Sequence, residues 1–142
     1  MKPADSLLLD ASVWIAAKDA GDRYFDSARP LVLDPRRSLA ALDLTLYETT
    51  NVVAARWRKP GVARELCRAI SARCGERLLA VDLELIEAAT DIAAEHGLTA
   101  YDAAYVAAAR RHGWTLISAD VADLVSKGLA VAPDAADYPL GR

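Results

Sequence analysis

Apolar residues along this chain fall into two rhythms. Leu7-Leu8-Leu9, Ser38-Leu39-Ala40-Ala41, Leu78-Leu79-Ala80-Val81 and Trp114-Thr115-Leu116-Ile117-Ser118 are short and largely apolar. Runs of that length are the signature of strands buried on both faces. Between them lie longer stretches with apolar residues at helical spacing. The first is Ala11 to Ala17, and the second runs from Arg23 to Leu33 and stops before Asp34-Pro35. A third spans Leu44 to Lys59, with Leu44, Tyr47, Val52, Ala55 and Trp57 among its apolar positions. Pro60-Gly61 punctuates it, and Val62 to Cys74 forms the next helix. Glu84 to Glu95 follows with Gly97 as its C-cap, then Thr99 to His112 closed by Gly113. A short helix over Asp120 to Lys127 and an edge strand over Leu129 to Ala132 precede a tail with two prolines.

Short strands alternating with helices predict an α/β fold. It has a mostly parallel sheet of four or five short strands with helices on both faces. No internal repeat, low-complexity stretch or linker interrupts the pattern, so one domain accounts for residues 1–142.

At 142 residues, 54% hydrophobic and 26% charged, the chain supports a core, and general disorder is excluded. No apolar run nears the roughly 18 residues of a membrane span, and only three leucines follow Met1-Lys2-Pro3-Ala4-Asp5, too few for a signal peptide. A cytoplasmic protein is the expectation. Cys67 and Cys74, seven positions apart on one helix, stand about 10 Å from each other, beyond disulfide reach. With no CxxC and only His96 and His112 as imidazoles, a bound metal is expected on oxygen ligands rather than in a zinc site. The net charge of −3 hides an asymmetry: residues 36–77 carry nine basic and four acidic side chains, +5, against −8 elsewhere. Such a segment suits a polyanion on one side of the protein, or two solvated helix faces.

Asp10, Asp82 and Asp120 each follow an apolar strand run, where open parallel sheets bind ligands. Position alone does not separate them, since Asp at a strand-to-helix junction also serves as an N-cap. Two acids within helices are harder to place on a surface. Glu48 has no basic residue at helical spacing before Arg56, and Asp102 opens an alanine-rich helix with none before Arg110. If Asp10, Glu48, Asp102 and Asp120 converge, their repulsion calls for a hard cation, Mg²⁺ or Mn²⁺, because no lysine or arginine lies close to any of them in sequence.

In these motifs the chain resembles the PIN-domain ribonucleases, and more closely the VapC-type toxins of bacterial toxin–antitoxin pairs. The motifs are Leu8-Leu9-Asp10-Ala11-Ser12-Val13, Tyr47-Glu48-Thr49-Thr50-Asn51, Thr99-Ala100-Tyr101-Asp102-Ala103-Ala104-Tyr105, and Leu116-Ile117-Ser118-Ala119-Asp120. The resemblance covers nearly the whole chain and implies a three-layer PIN-like fold. It implies Asp10, Glu48, Asp102 and Asp120 as catalytic, metal-holding residues for hydrolysis of RNA. Ser118 stands where the family usually has Thr and keeps the hydroxyl. Ser12 orients Asp10 or caps its own helix, Asn51 assists Glu48 or bonds locally, and Asp123 is expected to face solvent.

Arg56, Arg58, Lys59, Arg64 and Arg68 are candidates to hold RNA phosphates beside an acidic cleft. Trp14 is a candidate to stack on a base or to pack inside. The resemblance also implies a small antitoxin that occludes the cleft, and a homodimer. Helices Leu44–Lys59 and Val62–Cys74 suit antitoxin contact or the core equally. One competing reading is a catalytically inactive PIN-like binding or assembly module. Another is a flavodoxin-like phosphoacceptor or phosphatase built on Asp10, which Ser12 in place of a second aspartate disfavours.

Overall fold

Strand β1 (Leu7–Leu9) is the hub of the molecule. The computed structural model describes residues 6–135. In it β1 pairs on one side with β2 (Leu39–Leu42) and on the other with β4 (Thr115–Ile117), while β3 (Leu78–Leu79) extends the sheet beyond β2. The order is β3-β2-β1-β4 and every pair is parallel. The register sets Leu7 beside Leu39 and Thr115, Leu8 beside Ala40 and Leu116, and Leu9 beside Ile117.

Both faces of these strands are covered, which is why they are almost wholly apolar. Leu7, Leu9, Leu39, Ala41 and Ile117 pack with Val13 and Trp14 of α1 (Ala11–Ala16), Ala28 and Leu31 of α2 (Phe25–Leu33), and Leu66 and Ile70 of α4 (Pro60–Cys74). Leu8, Ala40, Leu42 and Leu116 face the other way. They meet Leu85, Ala89 and Ile92 of α5 (Leu83–His96) and the alanines of α6 (Ala100–His112). The result is the three-layer α/β arrangement the sequence predicts, with four strands.

Four elements differ locally from the pattern read in the sequence. Helix α2 begins at Phe25 rather than Arg23, because Asp22 ties the preceding turn by accepting from the Tyr24 N–H at 2.8 Å. The expected Leu44–Lys59 helix divides into α3 (Asp43–Thr49) and a wider π-helical segment, Thr50–Arg56. That segment closes through Trp57 N–H to Val52 O at 2.9 Å and Lys59 N–H to Val53 O at 3.0 Å. Arg58, between them, adopts φ 59°, a left-handed conformation that suits glycine better. The Asp120–Lys127 helix is a π-helical turn, Val121–Val125. The edge strand expected over Leu129–Ala132 shrinks to one bridge between Val131 and Ile117. Cys74 is buried and Cys67 half-buried, both as free thiols. Among the described residues, no helix is long and apolar enough to cross a membrane.

Arg58→Gly relieves this backbone conformation, less the entropy that glycine adds to the unfolded chain. It is expected to raise stability by about 0.5–1 kcal/mol, read as a higher urea midpoint at unchanged slope.

Candidate active site

The strand order decides which strand-end aspartates meet. Strands β1 and β4 are neighbours at the point where successive strands begin adding to the opposite side of the sheet, the place where open α/β sheets leave a crevice. Asp10 leaves β1 there, and its N–H continues the ladder to Ile117 O at 3.2 Å. Asp120 leaves β4 beside it. Asp82 follows β3, two strands or about 10 Å from β1 across the sheet. It caps α5 instead, accepting from Leu85 N–H at 2.8 Å and pairing with Arg111 at 3.5 Å. The cap hydrogen bond, with help from Arg111, holds its carboxyl below the usual range.

Asp10 is 5% exposed, and two hydroxyls hold it. Ser12 Oγ donates to Asp10 Oδ1 and accepts from Ala119 N–H at 2.9 Å, so one hydroxyl joins the β1 end to the loop after β4. Ser118 also hydrogen-bonds Asp10, and its Oγ accepts from Asp120 N–H at 3.0 Å. Ser12 thus orients Asp10; α1 has no side-chain cap. Burial pushes the Asp10 carboxyl up to about 7, outweighing the two serine hydrogen bonds, and the charges of Glu48 and Asp102 push the same way.

Glu48, on α3, accepts a hydrogen bond from Tyr105 Oη at 2.8 Å. Tyr105 is buried and lies 2.7 Å from Thr45 Oγ1, which in turn accepts from Leu42 N–H at 3.2 Å. With Glu48 ionised, the chain therefore runs one way, from Leu42 N–H through the Thr45 and Tyr105 hydroxyls to the carboxylate. Burial raises Glu48 above its ordinary value, the Tyr105 hydrogen bond opposes that rise, and Asp102 adds to it. Tyr105 itself is raised well above a normal phenol, first by burial and then by the charges of Glu48 and Asp10. Sequence reasoning placed Tyr105 within a motif without giving it a role. The available signal was its i+3 spacing from Asp102, which sets both on one side of α6.

Asp102 stands in the first turn of α6, where Thr99 Oγ1 caps the helix by accepting from its N–H at 3.2 Å. Its carboxyl is raised by burial, then by Asp120 and Asp123, and is lowered by Lys127. Carboxylate oxygens of Asp102, Asp120 and Asp123 all lie within 4.8 Å of one another. Asp123, expected in solvent, is exposed yet belongs to this cluster because Asp120 Oδ1 accepts its N–H at 3.0 Å and draws it into the turn. Asp102 has no lysine or arginine close by in sequence, and the fold supplies one, Lys127. Its Nζ donates to His96 O at 2.9 Å, and its charge reaches Asp102.

The structure therefore gathers the carboxylates of Asp102, Asp120 and Asp123 within 4.8 Å of one another, and couples Asp10 and Glu48 electrostatically to Asp102. The donor set is all oxygen, negatively charged and partly desolvated, which fits a hard divalent cation. Asn51 is exposed one turn beyond Glu48. Trp14 is 1% exposed and buried in the core, so it is unavailable for stacking. Arg56, Arg58, Lys59, Arg64 and Arg68 are exposed on the π-helical segment, the turn after it and α4. Three other basic residues serve the fold. Arg73 donates to Val32 O and Asp34 O, each at 3.0 Å, Arg77 donates to Leu39 O at 2.9 Å, and Arg36 pairs with Asp34 at 3.0 Å.

The PIN domain family model matches residues 7–122. The chain belongs to the PIN domain family. Among solved structures, PAE2754 from Pyrobaculum aerophilum is 26% identical, with 92% of each chain covered and a TM-score of 0.67. VapC20 of Mycobacterium tuberculosis, described as a sarcin–ricin loop cleaving toxin, is 22% identical. That match covers 89% of this chain and 97% of that one at a TM-score of 0.68. A toxin–antitoxin complex from Klebsiella pneumoniae is 22% identical, covering 90% of this PIN chain and 98% of that chain at 0.66. No curated protein matches the sequence.

Two stability measurements follow from this geometry. The folded protein holds a proton on Asp10 up to about 7, whereas an unfolded aspartate releases it near 4. In EDTA, stability is therefore greatest at the acid end of that window and falls as pH rises through it. Asp10→Asn is expected to flatten this slope in thermal melts taken across the same range. Tyr105→Phe leaves the Thr45 hydroxyl proton without its acceptor and Glu48 without its donor, and is expected to cost about 1–3 kcal/mol in urea unfolding.

Proposed function

We propose that this PIN domain is a Mg²⁺- or Mn²⁺-dependent endoribonuclease, the toxin of a toxin–antitoxin pair acting in the cytoplasm. The observation that carries the reading is the meeting of Asp102, Asp120 and Asp123, with Asp10 and Glu48 coupled to Asp102, at the crevice of a PIN fold. Asp10, Glu48, Asp102 and Asp120 hold the metal, and Asp123 adds a carboxylate at the open side. A bound ion supplies Lewis-acid charge at the phosphoryl oxygens and lowers the pKa of its water.

The remaining work belongs to the chain. Ser12 and Ser118 fix the Asp10 carboxylate, and each is anchored by a backbone N–H of the β4 loop. Tyr105 engages Glu48 Oε1, which leaves Oε2 to orient the attacking water. Arg56, Arg58, Lys59, Arg64 and Arg68 hold RNA phosphates away from the acids. Arg56 stands eight residues beyond Glu48, at the far end of the π-helical segment. The similarity to VapC20 and to the Klebsiella toxin–antitoxin complex supports this reading through the shared fold.

An antitoxin and a homodimer complete the proposal. A groove of about 580 Å³ between α1, α2 and α4 is lined by Trp14, Phe25, Val32, Leu33, Leu66 and Ala69 and edged by Lys18 and Arg29. Leu33 is 63% exposed there. An amphipathic antitoxin segment with acidic flanks fits such a groove.

Cleavage of total RNA with Mg²⁺ or Mn²⁺ is expected to stop in EDTA. Asp10→Asn and Asp102→Asn are each expected to lose activity by roughly 100-fold or more, while Asp82→Asn retains it. Mn²⁺ is expected to raise the melting temperature of the wild-type protein by mass action. Undiminished cleavage by the Asp10 and Asp102 variants would remove these residues from the site. Absence of any Mn²⁺-dependent stabilisation would favour a binding or assembly module.

A further inference from the structure

Two large aromatic side chains stand in the open beside the carboxylates. Tyr47 is 74% exposed and immediately precedes Glu48, and Tyr101 is 61% exposed and immediately precedes Asp102. They come from different helices, α3 and α6, yet line one recess of about 470 Å³ together with Leu44, Glu48, Asn51 and Val52. The α3-side residues follow a helical i, i+3, i+4, i+7, i+8 pattern, so they form one continuous wall, and Tyr101 reaches the recess from the start of α6. A recess of this size lies within the range of small-ligand sites.

Resting on the nuclease reading above, we propose that Tyr47 and Tyr101 form a stacking clamp for an unpaired base of the RNA substrate, next to the carboxylates. The physical argument is one of charge. An acidic crevice repels phosphates, so the part of a nucleotide that can be held there without electrostatic cost is the neutral base. Aromatic faces bind bases of any sequence, which suits single-stranded RNA. The Asn51 amide, with both donors and an acceptor, lies in the same recess to meet a base edge.

A second copy of the chain is the other occupant that exposed tyrosines invite. It fits the recess less well, because a dry subunit contact would strip water from Glu48, a carboxylate that lines the recess. RNA brings its own ribose hydroxyls and water to the same place.

The test is a fluorescence titration of the full chain with a 12-nucleotide single-stranded RNA of mixed sequence carrying 2-aminopurine. Ca²⁺ replaces Mg²⁺, and the RNA is checked for integrity afterwards. Tyr47→Ala and Tyr101→Ala are each expected to weaken binding roughly ten-fold and to reduce the quenching of 2-aminopurine. Tyr47→Phe and Tyr101→Phe are expected to stay within about two-fold of wild type, since stacking needs the ring and not the hydroxyl. The Mn²⁺-dependent melting shift is expected to be the same in all five proteins, which reports an intact acid cluster. Alanine variants that bind RNA as tightly as wild type would overturn the clamp and leave the nuclease reading standing. Wild-type protein that sediments as a dimer, with alanine variants that become monomers, would assign the tyrosines to a subunit contact and overturn it as well. Wild-type protein that responds to Mn²⁺ but binds no RNA would overturn the clamp together with the RNA substrate, whereas loss of the Mn²⁺ response alone counts only against the metal site.

Discussion

Gathering several carboxylates at one end of one sheet opposes two forces that otherwise keep acids apart and in water. Asp10 is buried at the end of the central strand, and Glu48 and Asp102 press on it electrostatically from α3 and α6. The fold relieves part of this with hydroxyl donors, Ser12 and Ser118 on Asp10 and Tyr105 on Glu48, and part with the distant charge of Lys127 on Asp102. Neutral donors fix orientation but do not cancel charge, so burial still prevails at Asp10 and Glu48. A proton on Asp10 relieves part of that charge up to about pH 7, and the all-oxygen set fits a divalent cation, which would relieve more of it.

The rest of the architecture can be understood as support for that crevice. Parallel strands β1 and β4 must lie side by side for Asp10 and Asp120 to meet, and parallel pairing demands helical crossovers that cover both faces. The crossover after β2 delivers Glu48 to that edge, because a helix that follows a parallel strand starts at its carboxyl end, and Asp102 comes from the first turn of α6, the second helix of the crossover between β3 and β4. The alanine-rich α6 is close-packed against the sheet through Ala103, Ala104, Ala107 and Ala108, which brings Tyr105 within reach of α3. The small side chains of α6 thus set the geometry of Glu48.

Charge is partitioned in the same economical way. Basic residues at the far end of the π-helical segment and on α4 are exposed, while Arg73 and Arg77, also within the basic stretch, are spent on backbone carbonyls of the α2–β2 region. The positive segment read from sequence is therefore part scaffold and part surface. Near the acids themselves, exposed tyrosines take the place that arginines would occupy in a simple phosphate-binding groove.

Local pattern alone determined much of this protein. Runs such as Leu7–Leu9 and Leu39–Ala41 declare buried strands because a strand covered on both faces has no position for a polar side chain. Pro60, Gly97 and Gly113 mark helix limits through constraints that act within a few residues. Asp10, Asp82 and Asp120 looked alike in the sequence because each follows an apolar run. Strand order, a long-range property, separated them by placing β4 beside β1 and β3 two strands away. The sequence was equally silent on Tyr105 reaching Glu48 across 57 residues, on Asp123 joining Asp102, and on Lys127 answering their charge. Hydrophobic periodicity reports which face of an element is buried. It carries no information on which other element lies against that face, and the pairing of elements is what decides which charges share a site.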